Sequence, residues 1–213
     1  MRVSGDRRYA TIAAGNISTC AVTVASTLYC WGDVVEGAGP SAQCGGGPKS
    51  GPTPCWLVPI RVSLALTGAD SVLRSLSLGS HACALSTGGR TYCWGGDPFT
   101  LGVNSNTNRV PAPSPVETAL RFESISVGGR RTCGLVLGGE AYCWGPSSSA
   151  FAIRSSPEAV AGGLHFQSIT VGDDHTCGLT LDGKGYCWGE NSLGQLGTGS
   201  RSPSSVPALI LGQ

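Results

Sequence analysis

The sequence predicts an all-β protein built as a β-propeller, and three observations predict it. One block of strand-like segments recurs four times, with its anchoring glycines Gly15, Gly79, Gly128 and Gly172 spaced 64, 49 and 44 residues apart. Each block carries two cysteines ten residues apart, at Cys20/Cys30, Cys83/Cys93, Cys133/Cys143 and Cys177/Cys187. Each also holds turn-forming residues between two short apolar runs, with no helical period. Four short antiparallel strands repeating every forty to fifty residues are the signature of a propeller blade.

The last block shows the order of elements best. Phe166 to Gly172 opens it, and Ser168 to Val171 alternates small polar and branched apolar residues, the period of a strand. His175 to Leu179 gives a second strand and Gly185 to Gly189 a third, joined by a hairpin signal at Leu181-Asp182-Gly183-Lys184. The same slot holds Val24 to Ser26, Ser86 to Gly89 and Leu137 to Gly139. A second mark, Pro-x-x-Val, stands at Pro59, Pro113 and Pro157 and returns as Pro207-x-x-Ile210. Cutting the chain at these marks gives repeats 3–58, 59–112, 113–156 and 157–206, with 207–213 starting a further blade. The first repeat is lengthened by a Gly/Pro-rich insertion, 37–56, with its own cysteine pair, Cys44 and Cys55.

The hairpin register follows from the cysteines. A turn centred on Asp182 sets Cys177 opposite Cys187 and Gly178 opposite Tyr186. The matching pairs are Ala21 with Tyr29, Ala84 with Tyr92 and Gly134 with Tyr142. A residue no larger than alanine faces the tyrosine every time, leaving room for the ring. In this register each cysteine pair lies about 4.5–5.5 Å apart between Cα atoms, which a disulfide bridges. No Cys-x-x-Cys spacing occurs, so disulfides are favoured over structural zinc, with Cys44 and Cys55 pinning the insertion. Ten cysteines in such an arrangement place the chain in an oxidising compartment, outside the cytoplasm.

Composition narrows the function. Charged residues are 13% of the chain and the net charge is +1, so no basic stripe awaits nucleic acid. Arg7-Arg8 and Arg130-Arg131 read as solvated turn residues. No apolar run reaches the ~20 residues of a membrane span, and no signal peptide is visible at the start of this sequence.

The strand motifs, followed by Glu190-Asn-Ser-Leu-Gly-Gln-Leu-Gly-Thr-Gly199, resemble the regulator of chromosome condensation (RCC1) repeat. The first three blocks keep the strands but lose the Asn-x-x-Gly-Gln-Leu-Gly segment, of which Leu101-Gly102 is a remnant. The resemblance implies a propeller, usually of seven blades, with Trp31, Trp94, Trp144 and Trp188 packed between blades. Paired cysteines in every blade resemble the secreted bacterial members, which are protein-binding or surface modules. Four repeats and a short overlap fit a closed four-blade ring or, better, part of a larger one completed by blades of the same or another chain.

No cofactor or metal site and no catalytic constellation is read from the sequence. His81 and His175 share a slot filled by Ser18 and Arg131 elsewhere, which points to turn hydrogen bonds, and His165 reads as a surface residue. Asp173-Asp174 is replaced by Gly129-Arg130 in the preceding block, against a calcium role. No Gly-x-Ser-x-Gly, His-Glu-x-x-His or Walker loop is present. The expected function is therefore a non-enzymatic, extracytoplasmic scaffold binding a protein or glycan through loops at Gly37 to Cys55, Pro98 to Asn108 and Ser147 to Ser156. The alternative is an exchange or regulatory protein for a small GTPase. A propeller glycoside hydrolase ranks last.

Overall fold

The computed structural model describes residues 7–33, 42–44, 53–64, 68–146 and 153–212. They form an array of four antiparallel sheets. The first contains β1 (Tyr9–Ala14), β2 (Ser18–Thr23), β3 (Leu28–Gly32) and β5 (Thr53–Val62), with the short β4 (Ala42–Cys44) outside β5. The second is β6 (Leu73–Leu78), β7 (Ala82–Ser86), β8 (Thr91–Trp94) and β9 (Ser114–Pro115). The third is β10 (Phe122–Val127), β11 (Thr132–Val136), β12 (Ala141–Pro146) and β13 (Ile153–Ala159). The fourth is β14 (Phe166–Val171), β15 (His175–Thr180), β16 (Gly185–Gly189) and β17 (Ser204–Leu209). Each sheet is a propeller blade, paired in sequence order except that β4 lies outside β5.

The Pro-x-x-Val marks lie in or against the outer strand of the blade that precedes them, which corrects the repeat boundaries drawn above. Pro59 to Val62 lies in β5, Val116 follows β9, and Pro157 lies in β13. Pro207 to Leu209 therefore finish the fourth blade by pairing with β16, instead of opening a fifth. A proline suits an outer strand, where one missing N–H costs no ladder bond. Most of the 37–56 insertion and of the loop 147–156 lies outside the described residues.

Cysteine pairing follows the hairpin arithmetic. Cys20–Cys30, Cys83–Cys93, Cys133–Cys143 and Cys177–Cys187 sit opposite one another as disulfides, with Cα atoms 4.1–4.2 Å apart. Cys55 is disulfide-bonded as well, while the side chain of Cys44 is outside the described residues.

The small residue opposite each tyrosine has a different use from the one expected. In the third and fourth blades it accommodates the phenylalanine that opens the blade. A Cβ on Gly134 or Gly178 would stand 2.5 Å from the ring of Phe122 or Phe166. Those rings in turn meet Tyr142 and Tyr186 edge-on, with centroids 6.5 and 6.4 Å apart.

Successive blades meet through their first strands, β1 against β6, β6 against β10 and β10 against β14, so these strands line the centre. There the anchoring glycines abut. A Cβ on Gly15 would stand 2.6 Å from the carbonyl oxygen of Gly79, and Gly79 and Gly128 meet the carbonyls of Gly128 and Gly172 still more closely. The residue after each glycine donates its N–H to the next blade's glycine: Asn16 to Gly79 (3.2 Å), Ser80 to Gly128 (3.2 Å) and Gly129 to Gly172 (3.3 Å). No side chain fits into that ladder.

Strands in the middle of a blade are covered on both sides. β7 and β8 are buried along their whole length, so they show no in/out alternation. Trp94 packs in one cluster with Cys20, Val22 and Cys30 of the first blade, Trp144 with Leu85 and Cys93 of the second, and Trp188 with Cys133 and Leu135 of the third. Each tryptophan thus covers the preceding blade's disulfide. Trp31 is only half-buried, because among the described residues no sheet precedes its own.

Candidate functional site

Alternating strand direction sorts the connections onto two faces. Turns between first and second strands and connections between third and fourth share one face, here the loop face. Hairpins between second and third strands and the links between blades share the other.

Of the three candidate loops, Pro98 to Asn108 is fully described, and it contains a helix where none was expected. Asp97 caps the single turn α1 (Pro98–Leu101), accepting from the Thr100 N–H at 2.9 Å and from its hydroxyl at 2.5 Å. Proline opens the turn and Gly102 closes it in the left-handed conformation, φ 69°. Burial pushes the Asp97 carboxyl up, but the bonds from Thr100 outweigh it and hold the group below its ordinary range.

Much of this loop is core. Leu101, Val103 and Val110 are buried in the cluster between the second and third blades, and the Leu101 carbonyl accepts the Trp144 indole N–H at 3.1 Å. In the fourth blade, Leu196 and Asn191 are likewise buried. The Asn191 side chain holds its connection closed, donating to the carbonyls of Ser200 and Ser202 and accepting from the Leu196 N–H. What these two connections offer to solvent is one apolar side chain each, Phe99 and Leu193. Ile17 is exposed in the turn between β1 and β2 on the same face, as are Arg130, Asp173 and Asp174 in the corresponding turns of the third and fourth blades. Phe99 lies in a loop that the sequence had named without singling the residue out, whereas Leu193 lies outside the named loops.

On the opposite face, the hairpins of the third and fourth blades border a groove of about 450 Å³ that sequence reading also missed. Its walls include Leu135, Gly139, Phe166, Gln167 and Leu181. Val24, Leu137 and Leu181 occupy one hairpin slot in three blades and all project into solvent.

The histidines do not converge. His81 is buried between the second and third blades, its Nε2 2.7 Å from the Thr132 hydroxyl, so it bridges blades instead of closing its turn. Burial lowers its pKa to about 4, despite the nearby charge of Asp97. His165 holds the Gly138 carbonyl through Nδ1 at 2.7 Å on the hairpin face. His175 lies beside Gly172. Among the described residues, no three His, Cys, Asp or Glu side chains gather as a metal site, and no helix is long and apolar enough to cross a membrane.

The regulator of chromosome condensation (RCC1) repeat model matches residues 166–195, and a second model of that repeat matches 182–212. The fourth blade matches the RCC1 repeat. The matches fall on the fourth blade, and the first three share its cross-strand register and its disulfide. Solved structures share the architecture. Human WBSCR16 is 19% identical with a TM-score of 0.78, over 98% of this chain and 54% of that one. Yeast RCC1 (Prp20), solved bound to Kap60, is 15% identical with a TM-score of 0.59, over 98% of this chain and 62% of that one. The ectodomain of the Physcomitrella patens receptor kinase CR4 is 28% identical with a TM-score of 0.55, over 88% of this chain and 42% of that one. The chain thus spans between two fifths and two thirds of the length of these proteins. No curated protein matches it in sequence.

Proposed function

We propose that this RCC1-repeat chain is a non-enzymatic extracytoplasmic scaffold that holds a protein partner on its loop face. The observation that carries this reading is one disulfide in each of the four blades. Such bonds persist in oxidising compartments and are rare in the cytosol. The likeness to a receptor-kinase ectodomain supports the same location. A protein partner is favoured because the yeast relative is bound to one, Kap60. The exposed Phe99, Leu193 and Ile17 offer the isolated apolar anchors that protein interfaces use.

The test has two arms. Intact mass after alkylation under denaturing, non-reducing conditions, on protein from its native compartment, is expected to show no free thiol. Ten alkylated cysteines would remove the extracytoplasmic reading. A screen of the purified chain against extracellular proteins and a glycan array is expected to give a protein ligand whose binding falls at least tenfold with Phe99→Ala or Leu193→Ala. Binding confined to glycans would replace the partner class. Acceleration of nucleotide release from a small GTPase would put the regulatory alternative first.

A further inference from the structure

The junction between the second and third blades and that between the third and fourth are built alike, but an arginine bridges only the former. Leu73-Arg74, Phe122-Glu123 and Phe166-Gln167 open these three blades, each with the same register shift after its first residue. At both junctions the opening phenylalanine donates its N–H to a hairpin glycine of the preceding blade. Phe122 donates to Gly89 and Phe166 to Gly139, each at 2.8 Å. At the earlier junction Arg74 reaches across, its Nη2 donating to the carbonyls of Phe122 and Glu123 at 2.9 and 2.6 Å.

At the later junction Glu123 holds the arginine's place. A carboxylate accepts and cannot donate, so it offers nothing to the matching carbonyls of Phe166 and Gln167. Among the described residues no side chain donates to either of them. The groove of about 450 Å³ lies at this point, with Glu123, Gly139, Phe166 and Gln167 in its walls. Glu123 is exposed, and among the described residues it is the one ionisable side chain lining the groove. The cation on the adjoining hairpin, Lys184, is engaged with Asp182 at 2.7 Å. Leu181, 78% exposed, adds an apolar wall.

These walls select their occupant. An apolar group would desolvate a carboxylate and two carbonyls without giving them a donor, and an anion would face Glu123 directly. A guanidinium brings a permanent positive charge and several N–H donors in one plane. We propose that the groove receives an arginine side chain of a protein partner, seated between the third and fourth blades as Arg74 is seated between the second and third. Its guanidinium would pair with the Glu123 carboxylate and donate to the Phe166 carbonyl, while an apolar residue beside it in the partner would rest on Leu181. The site is on the hairpin face, apart from the loop-face anchors, and neither reading depends on the other.

Backbone amide shifts of the full 213-residue chain, titrated with acetyl-Leu-Arg-Leu amide up to about 10 mM, test the proposal. The expected result is saturable movement of Gly139, Phe166 and Leu181, with acetyl-Leu-Gln-Leu amide moving none of them. Glu123→Gln should weaken binding by about threefold or more. Glu123→Arg should abolish it, because the new side chain would fill the groove from within as Arg74 does. Both substitutions lie at an exposed position, and unchanged shifts in the first two blades check the fold. Absence of saturable shifts overturns the proposal. So does equal binding of the glutamine peptide, or arginine-peptide binding that either variant leaves intact. Ethylguanidinium binding as tightly as the peptide would make the ligand a free guanidinium compound and overturn the partner assignment.

Discussion

Trp144 donates its indole N–H to the carbonyl of Leu101 at 3.1 Å across the boundary between the second and third blades. Trp94, in the same position one blade earlier, is buried with no acceptor for its N–H among the described residues. The contrast lies in the receiving blade: the second keeps Leu101-Gly102, while the first runs from Asp33 into its insertion. Removing both indole nitrogens should therefore have unequal consequences. Trp144→Phe forfeits a buried bond and orphans a carbonyl, whereas Trp94→Phe removes an unpaired donor. Urea unfolding should show the first costing about 1–2 kcal/mol more than the second. Equal costs would mean that the Leu101 bond contributes nothing.

The central ladder makes a second prediction. At Gly128 an added methyl group runs into the backbone carbonyl of Gly172, which a rotamer change cannot move. At Gly172 it would meet the imidazole of His175, which can turn away. Gly128→Ala should cost about 3 kcal/mol or more and Gly172→Ala about 1, read as shifts in the denaturant midpoint. The reverse order would show that the blades do not abut as described.

His81 links stability to pH. Its folded pKa, about 4, lies below the ordinary 6.5 because burial between blades disfavours the charged ring. The unfolded chain therefore takes up a proton below pH 6.5 that the folded chain refuses until about pH 4. Stability is fully present above that window and is lost as pH falls through it, by up to about 3 kcal/mol. His81→Gln should unfold with a pH dependence flatter by that amount between pH 7 and 4. An unchanged slope would assign acid sensitivity elsewhere.

The four hairpin disulfides differ in access. Those of the first three blades lie beneath the next blade's tryptophan, whereas Cys177 is half-buried on an open face. Under mild reductant with a trapping alkylator, peptide mapping should find Cys177 and Cys187 labelled first, since thiol exchange depends on access. Equal labelling of all four pairs would require the blades to separate before any bond is reached.

The sequence made the blade legible at the level of pairs. Cysteine spacing fixed the central hairpin to the residue, because a period-2 register tolerates no slip once two partners are set. It misplaced the outer strand: Pro-x-x-Val precedes each block in the chain but belongs in space to the blade behind it, a non-local fact. A repeated irregularity also escaped notice. The first strand shifts register after its opening residue in all four blades, between Tyr9 and Thr11, Leu73 and Ser75, Phe122 and Ser124, and Phe166 and Ser168. Nothing in composition marks such a bulge. Loop residues were named as a class, but which of them project was not legible. Leu101 and Phe99 are both apolar and two residues apart, and only the position of Trp144 makes one core and the other surface.

Phe166 and Gly178 are a size-matched pair, and the other blades show what each partner tolerates. Phe122 faces Gly134 in the same manner, whereas the second blade opens with Leu73 and carries Ala84. Gly178→Ala should cost about 2 kcal/mol, because the added carbon would stand 2.5 Å from a ring held between Tyr186 and Trp188. Phe166→Leu alone should cost about 1–2 kcal/mol in lost ring contacts. The double variant, which recreates the second blade's pair, should be more stable than the sum of the two by at least about 1 kcal/mol. Additivity to within about 0.5 kcal/mol in a double-mutant cycle would show that the glycine serves the strand's backbone and not the ring opposite it.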